Sequence, residues 1–431
     1  MNTEKLYISH FAGITEAEIE LSRINIFIGP QASGKSICVK LFFFFKEAID
    51  NIARSVLDQE TKATIRSNNK NDFMKYFPPS GWGSGTFSVR YSCGDLWIRV
   101  TRTSSESSAV GISYSALYDS ILIRSRHTLK QISASTGNTR HGSYSGHEGI
   151  TRQFSKEYYE IIKGVSPTLL NFNSFIPAGR SFFSILQRSV WRLLAKDEDI
   201  DPFLTLFGSS YERTRDTYMK ALDGGLQRDP RIEQYVSKLI CGNYLRIRAE
   251  DFIQATDGRK IPLETSSSGQ QEALPLALTL AAMAYTNHSY FNTAIIEEPE
   301  AHLYPSSQRD IVHLLAMVAG VSSSERPGFD SQFLITTHSP YILSALNNLM
   351  YAGKIVSEAP DKKDCVSSVL DDAALVDPSG VRAYFLNNGT VQSIIDKDTG
   401  LVEAAMLDGV SNELAAEFDA LVDVAYGDEG V

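Results

Sequence analysis

Residues 24–36 read Ile-Asn-Ile-Phe-Ile-Gly-Pro-Gln-Ala-Ser-Gly-Lys-Ser, and no other stretch constrains the fold as much. Ile24–Ile28 is apolar except for Asn25, as expected of a strand buried on both faces of a parallel sheet. Gly29 to Ser36 then fits G-x-x-x-x-G-K-[ST], the spacing of a phosphate-cradling P-loop. A helix is expected from about Lys35 to Ile52. Gly29 and Gly34 permit dihedrals that a Cβ would penalise. Between them, Gln31, Ala32 and Ser33 contribute backbone N–H groups to an anion nest, closed by the positive end of the helix. Lys35 is placed to reach β- and γ-phosphates, and the Ser36 hydroxyl to ligate Mg²⁺. A plain Gly-Ser turn is the alternative, and the strand and helix on either side argue against it.

Composition bounds what such a loop can serve. The chain has 431 residues, enough for two to three domain-sized units, and at 43% apolar and 21% charged it can bury a large core. Its formal charge is −10 and no long Lys/Arg run stands out, which argues against an obligate nucleic-acid coat while leaving a local basic groove open. Cys38, Cys93, Cys241 and Cys365 are scattered without metal-ligand spacing and read as reduced, intracellular thiols. The N-terminus has no apolar signal core. The most apolar runs, Ile37–Phe45 and Leu274–Tyr285, fall short of the roughly 20 residues that span a bilayer. A soluble cytoplasmic protein with no membrane partner is therefore expected.

The expected organisation has five segments. Residues 1–67 carry the P-loop, with Leu6–Ile28 as β-structure leading into it. Residues 68–150 form a β-rich insert. Its start, Asn68–Ser84, is polar and reads as a loop. Thr86–Arg126 alternates (FSVRYS, LWIRVTR, VGISYSALY, SILIRSR) and reads as an antiparallel meander. Ser133–Gly149 is Ser/Gly-rich and reads as a mobile loop, whose His141 and His147 do not make a metal site. Residues 151–243 read as a helical lobe, entered through a strand, turn and helix start at Leu169–Ser184. Residues 244–350 return to strands and dense motifs. Residues 351–431 hold a hairpin, Val381–Ile395, turning at Asn388-Gly389, and an acidic helix at Ser411–Tyr426. Leu41–Phe45, with four consecutive phenylalanines, reads as helix buried on nearly all sides.

Three further motifs follow the P-loop in order. Ser266-Ser-Ser-Gly269-Gln-Gln-Glu272 precedes the apolar helix. Then comes Thr293-Ala-Ile-Ile-Glu297-Glu298-Pro-Glu300-Ala-His-Leu-Tyr-Pro305. Phe333-Leu-Ile-Thr-Thr-His338-Ser-Pro340 ends another apolar strand. Singly, these are a helix cap, surface charge and a capping histidine. In this order after a P-loop, the chain resembles the ABC-class ATPase heads of the SMC/RecF/OLD-like branch, over Leu6–Phe45 and Phe252–Leu346. The resemblance implies an α/β fold: a P-loop parallel-sheet core, an antiparallel β subdomain and an inserted helical lobe. It implies ATP and Mg²⁺ as cofactors and maps Walker A to Gly29–Ser36. The signature maps to Ser267, Ser268, Gly269 and Gln270. Walker B maps to Ile295–Glu298 with a D-loop at Pro299–Leu303, and the switch histidine to His338. Gln31 and Ala32 depart from the family's usual Walker A asparagine and glycine, and Ser268 from its signature glycine. Phe175-Ile-Pro-Ala-Gly-Arg180-Ser resembles a motif of this branch, which would bring Arg180 near the site.

The residues carry the chemistry independently. Glu297, at a buried strand's end, can hold Mg²⁺ beside Ser36, and Glu298, one residue on, can face the attacking water because adjacent side chains diverge. His338 ends the next strand, where the γ-phosphate would lie. A hydroxyl, N–H groups and a helix dipole at Ser267–Gln270 make a second phosphate cradle. In the family this cradle closes on a partner's ATP, so a homodimer of ATP-sandwiched heads is implied, open to higher assembly.

The expected activity is hydrolysis of ATP to ADP and phosphate. No long coiled coil and no convincing nuclease carboxylate set are visible. The chain therefore resembles stand-alone ATPase subunits of prokaryotic anti-phage systems, the PARIS type most closely. These imply a separately encoded effector, such as a TOPRIM-type nuclease, and a phage-derived trigger. A RecF-like ATPase acting on DNA is the alternative, and salt-steep DNA binding would distinguish it.

Overall fold

The computed structural model describes residues 3–106, 108–136, 143–169, 171–185, 200–226, 228–248, 250–286, 291–325, 331–403 and 416–421. The chain opens with strands β1 (Glu4–Phe11), β2 (Ile14–Glu20) and β3 (Ile24–Ile28), then helices α1 (Lys35–Leu57) and α2 (Lys62–Tyr76). Strands β4 (Phe87–Cys93), β5 (Leu96–Arg102) and β6 (Gly111–Tyr114) lead to helices α3 (Ala116–Thr136) and α4 (Ser143–Lys163). Strand β7 (Asn171–Ile176) precedes helices α5 (Ser181–Ile185), α6 (Pro202–Leu222) and α7 (Pro230–Leu239). A separate small sheet follows, β8 (Asn243–Ile247), β9 (Glu250–Gln254) and β10 (Lys260–Pro262). Helix α8 (Ser268–Tyr285), strand β11 (Phe291–Glu297), helix α9 (Pro305–Glu325), strand β12 (Gln332–Thr337) and helix α10 (Pro340–Glu358) come next. The hairpin β13 (Val381–Asn387) and β14 (Thr390–Ser393) completes the main sheet.

That sheet runs β6-β5-β4-β1-β2-β14-β13-β3-β12-β11-β7. Strands β13, β3, β12, β11 and β7 are parallel neighbours, while β2, β1, β4, β5 and β6 pair antiparallel. The fold is thus α/β, with a parallel core continuous with an antiparallel wing. The period of two along the parallel strands feeds two cores. Ile24, Ile26 and Ile28 pack with α8, α9 and α10 on one side, and Phe27 packs with α1 and the wing on the other. The Asn388-Gly389 turn has φ of 47° and 76°, as a tight hairpin requires, and the hairpin sits inside the sheet because β13 pairs with β3.

Leu41–Phe45 is buried throughout, as its composition predicts. Phe42 and Phe45 meet Tyr91 of β4, Phe44 meets Phe73 of α2, and Phe43 meets Phe175 of β7 and Phe203 of α6. A helix at 100° per residue needs four successive aromatics only when neighbours stand on all sides. Lys46 continues the helix into the core, 2.9 Å from the Glu4 carboxylate and 2.7 Å from Gln332 Oε1.

Some expectations are corrected. Residues 68–76, read as loop, are helical: Ile65, Asn69 and Phe73 form a buried stripe at a spacing of four. Ala116–Arg126, read as part of the strand meander, lies in α3, where Tyr118, Ile121 and Leu122 face inward. Most of the presumed Ser/Gly loop is also helical, at the end of α3 and the start of α4. His141 lies outside the described residues, and His147 falls in α4. Of the acidic segment only 416–421 is described, as exposed helix; the rest lies outside the described residues. Among the described residues, no helix is long and apolar enough to cross a membrane.

Candidate nucleotide-binding site

The P-loop joins β3 to α1 as its sequence predicts. Lys35 is the first residue of α1 and Gly34 its N-cap. A Cβ on Gly29 would run into the Leu386 carbonyl of β13, so the loop's close approach to the hairpin requires glycine. Ala32 takes the left-handed conformation, φ 59°, where a glycine is usual. Gln31 and Ala32 are exposed, Ser33, Gly34 and Ser36 half-buried, and Lys35 buried. The Lys35 Nζ donates to the Gly29 and Pro30 carbonyls at 2.9 and 2.7 Å, and to Ser33 Oγ at 3.3 Å. Burial lowers its pKa, while the nearby charges of Glu298 and Glu300 oppose that shift. Its donors rest on neutral carbonyl and hydroxyl acceptors that a phosphate oxygen can replace.

The parallel strands bring the other residues to the same edge. Ile28 pairs with Thr337, and Thr336 with Glu297, so β3, β12 and β11 end level with one another. Glu297 and Glu298 diverge as adjacent residues at a strand end should. Glu297 is 7% exposed, and its Oε1 is buried without a hydrogen-bond partner, as is Thr336 Oγ1. A desolvated carboxylate oxygen left unmatched is costly unless a cation meets it. The residues therefore fit Mg²⁺, which Glu297 and the Ser36 hydroxyl would hold. Glu298 stands more open, with φ 45°, its N–H donating to the Thr336 carbonyl at 2.9 Å. Its Oε1 lies 3.5 Å from His338 Nε2.

Glu300 is a site residue the sequence reading did not single out. Its carboxylate accepts the His338 backbone N–H at 2.7 Å and so fixes the turn that carries the histidine. Burial raises its pKa, against backbone donors that favour the charged form. Its position in Glu-Glu-Pro-Glu was the available signal.

Ser267–Gln270 form the first turn of α8. Ser267 is the N-cap in a capping box: its Oγ accepts the Gln270 N–H at 3.3 Å, and Gln270 Oε1 accepts the Ser267 N–H at 3.2 Å. Ser267 and Ser268 are exposed, Gly269 and Gln270 half-buried. A Cβ on Gly269 would sit 2.9 Å from the His302 carbonyl, so this glycine lets the helix start rest on the loop after Glu298. Among the described residues, no hydrogen bond joins this turn to residues 29–36. The P-loop, Glu297, Glu298 and His338 come together in one chain, and the second cradle does not join them.

Arg180, beyond the end of β7, is fully buried beneath the site. Its Nη1 donates to the carbonyls of Glu297 at 2.8 Å and Pro177 at 3.1 Å, and its Nη2 to that of Glu298 at 3.1 Å. Its Nε donates to the Glu272 carbonyl at 3.2 Å. The Glu272 carboxylate, on α8, accepts the backbone N–H groups of Arg180 and Ser181 at 3.1 and 3.0 Å and pairs with the guanidinium.

Residues 182–343 match the family model described as an AAA ATPase domain. The matched segment contains Ser267–Gln270, Glu297, Glu298 and His338, and the P-loop lies outside it. No curated protein matches the sequence significantly. Among solved structures, the SMC head domain from Thermotoga maritima is similar at 13% identity and TM-score 0.39, covering 91% of this chain and 98% of that one. The Smc head domain of Pyrococcus furiosus, with an extended coiled coil and bound to the C-terminal domain of ScpA, is similar at 12% identity and TM-score 0.37 over 96% and 99%. That of Pyrococcus yayanosii, with a coiled coil and joint, is similar at 11% identity and TM-score 0.38 over 95% and 99%.

Proposed function

We propose that this chain is an ATP-binding and ATP-hydrolysing head that pairs with a second copy around ATP. In that state it acts as sensor and scaffold for a separately encoded effector, a TOPRIM-type nuclease, in cytoplasmic anti-phage defence. The supporting observation is a site divided in two. Lys35, Glu297, Glu298 and His338 gather at one end of the parallel strands, while the Ser267–Gln270 turn, with Ser267 and Ser268 exposed, makes no hydrogen bond to residues 29–36 among the described residues. A second head supplies what each lacks.

In the mechanism, loop N–H groups and Lys35 bind the phosphates and orient the γ-phosphoryl group. Glu297 and Ser36 would hold Mg²⁺, which would neutralise phosphate charge. Glu298 orients the attacking water and takes its proton. His338, tied by Glu300, contacts the γ-phosphate and reports its presence to the turn before α10. Pairing is then a two-state element biased by γ-phosphate. The defence role, the effector and the phage trigger rest on the sequence resemblance.

The test is purification of Glu298→Gln protein with the products of neighbouring genes, with and without ATP-Mg²⁺. A stoichiometric complex with a neighbour's product supports the scaffold reading. A bare ATP-dependent dimer that binds DNA with a steep salt dependence would replace it with action on DNA.

A further inference from the structure

The Arg180–Glu272 contact joins two parts of the site that the pairing reading assigns to different ATP molecules. Glu272 lies just beyond the cradle turn on α8, upstream of the break that Pro275 makes in the helix ladder, and Gln271 to Ala282 are all buried, so the cradle turn and Glu272 share one packed helix start. The Arg180 guanidinium spends its donors on the carbonyls of Glu297, Glu298, Pro177 and Glu272 rather than on space-filling contact. A buried ion pair is a poor way to gain stability, since well-packed apolar side chains serve as well or better. A planar fork bonded to four backbone oxygens is a good way to fix their relative positions. Gly269 makes a second link, resting on the His302 carbonyl in the loop after Glu298. That loop holds two non-glycine residues in the left-handed region, Glu298 at 45° and His302 at 59°. Such strain persists only where surroundings enforce it.

We infer that Arg180 and Glu272 are positioning residues of a buried relay, through which engagement of the Ser267–Gln270 cradle by the partner's ATP sets the Glu298 carboxylate of the same head. This rests on the pairing reading. Each head then commits its own carboxylate only when its cradle is filled, and the two ATP sites of a pair hydrolyse cooperatively.

The experiment is steady-state hydrolysis against ATP concentration for wild type, Arg180→Lys and Glu272→Gln, with ATP-dependent pairing measured in the Glu298→Gln background. Arg180→Lys keeps the buried charge and loses the fork. The relay predicts a roughly 10–100-fold fall in turnover with KM changed less than about threefold. It also predicts a Hill coefficient falling from roughly 2 to about 1 with pairing retained. Glu272→Gln, which keeps an acceptor for one of the two N–H groups, should give the same pattern, and it decides the matter if Arg180→Lys does not fold. A variant that lowers only the unfolding temperature, with turnover and Hill coefficient kept, overturns the relay and leaves pairing standing. If Glu298→Gln protein with native Arg180 and Glu272 does not pair in ATP, the pairing reading itself fails, and the relay with it.

Discussion

Glu298 and His338 face each other across the ends of two neighbouring parallel strands, Oε1 to Nε2 at 3.5 Å. Neither is buried, so both can turn toward a substrate that fills the space beside Lys35. Glu298→Gln should lower turnover by roughly 10²–10⁴-fold with ATP affinity retained, since only the proton acceptor is lost. His338→Ala should cost roughly 10²-fold, as for one transition-state donor. Phosphate release against bound nucleotide checks both.

Gly269→Ala places a methyl 2.9 Å from a backbone oxygen that has no rotamer to escape into. The helix start must shift. A loss of about 1–3 kcal/mol in unfolding free energy is expected, together with weaker ATP-dependent pairing and unchanged nucleotide binding by a single head. Chemical denaturation and nucleotide titration measure the two effects.

Lys46 and Glu4 are 3% and 2% exposed and pair at 2.9 Å, with Tyr91 donating to the same carboxylate oxygen. Lys46→Met leaves that carboxylate buried without its cation and should cost about 3–5 kcal/mol. Adding Glu4→Gln should recover most of it, because the unpaired charge is then gone. Urea unfolding of the two variants gives the comparison.

His313 on α9 is buried, with its Nδ1 3.0 Å from the Tyr235 hydroxyl. Burial first, and Arg309 next, hold its pKa below the ordinary value of 6.5. The unfolded chain therefore binds a proton that the folded chain refuses. Stability should be fully present above about pH 6.5 and fall as pH drops from there toward the depressed folded value. His313→Gln should flatten that part of the curve, read as unfolding temperature against pH.

The candidate site was legible where its residues are local in sequence. Gly29–Ser36 and Glu297–Glu298 combine a strand, its end and the functional group within a few residues, and the parallel sheet then aligns their levels. The fold was legible where one period dominates, as in β3, β12 and the β13–β14 hairpin. It failed at Ser120–Arg126 because alternating Ile and Arg imitates a strand. The buried set Tyr118, Ile121 and Leu122 has helical spacing, and only packing against α1 and β5 selects it. It failed at 68–76 because that helix is polar apart from one narrow stripe. Arg180's role depends on Glu272, 92 residues away, and on carbonyls 117 and 118 residues away, a relationship with no local signature.

The most direct measurement is the solution mass of Glu298→Gln protein with and without ATP-Mg²⁺, with a Lys35→Ala variant in parallel. The account predicts monomer without nucleotide, dimer with ATP, and monomer in both conditions for Lys35→Ala, which should lose phosphate binding worth about 3 kcal/mol. A Glu298→Gln monomer at saturating ATP, or a Lys35→Ala protein that still binds and pairs, would contradict it.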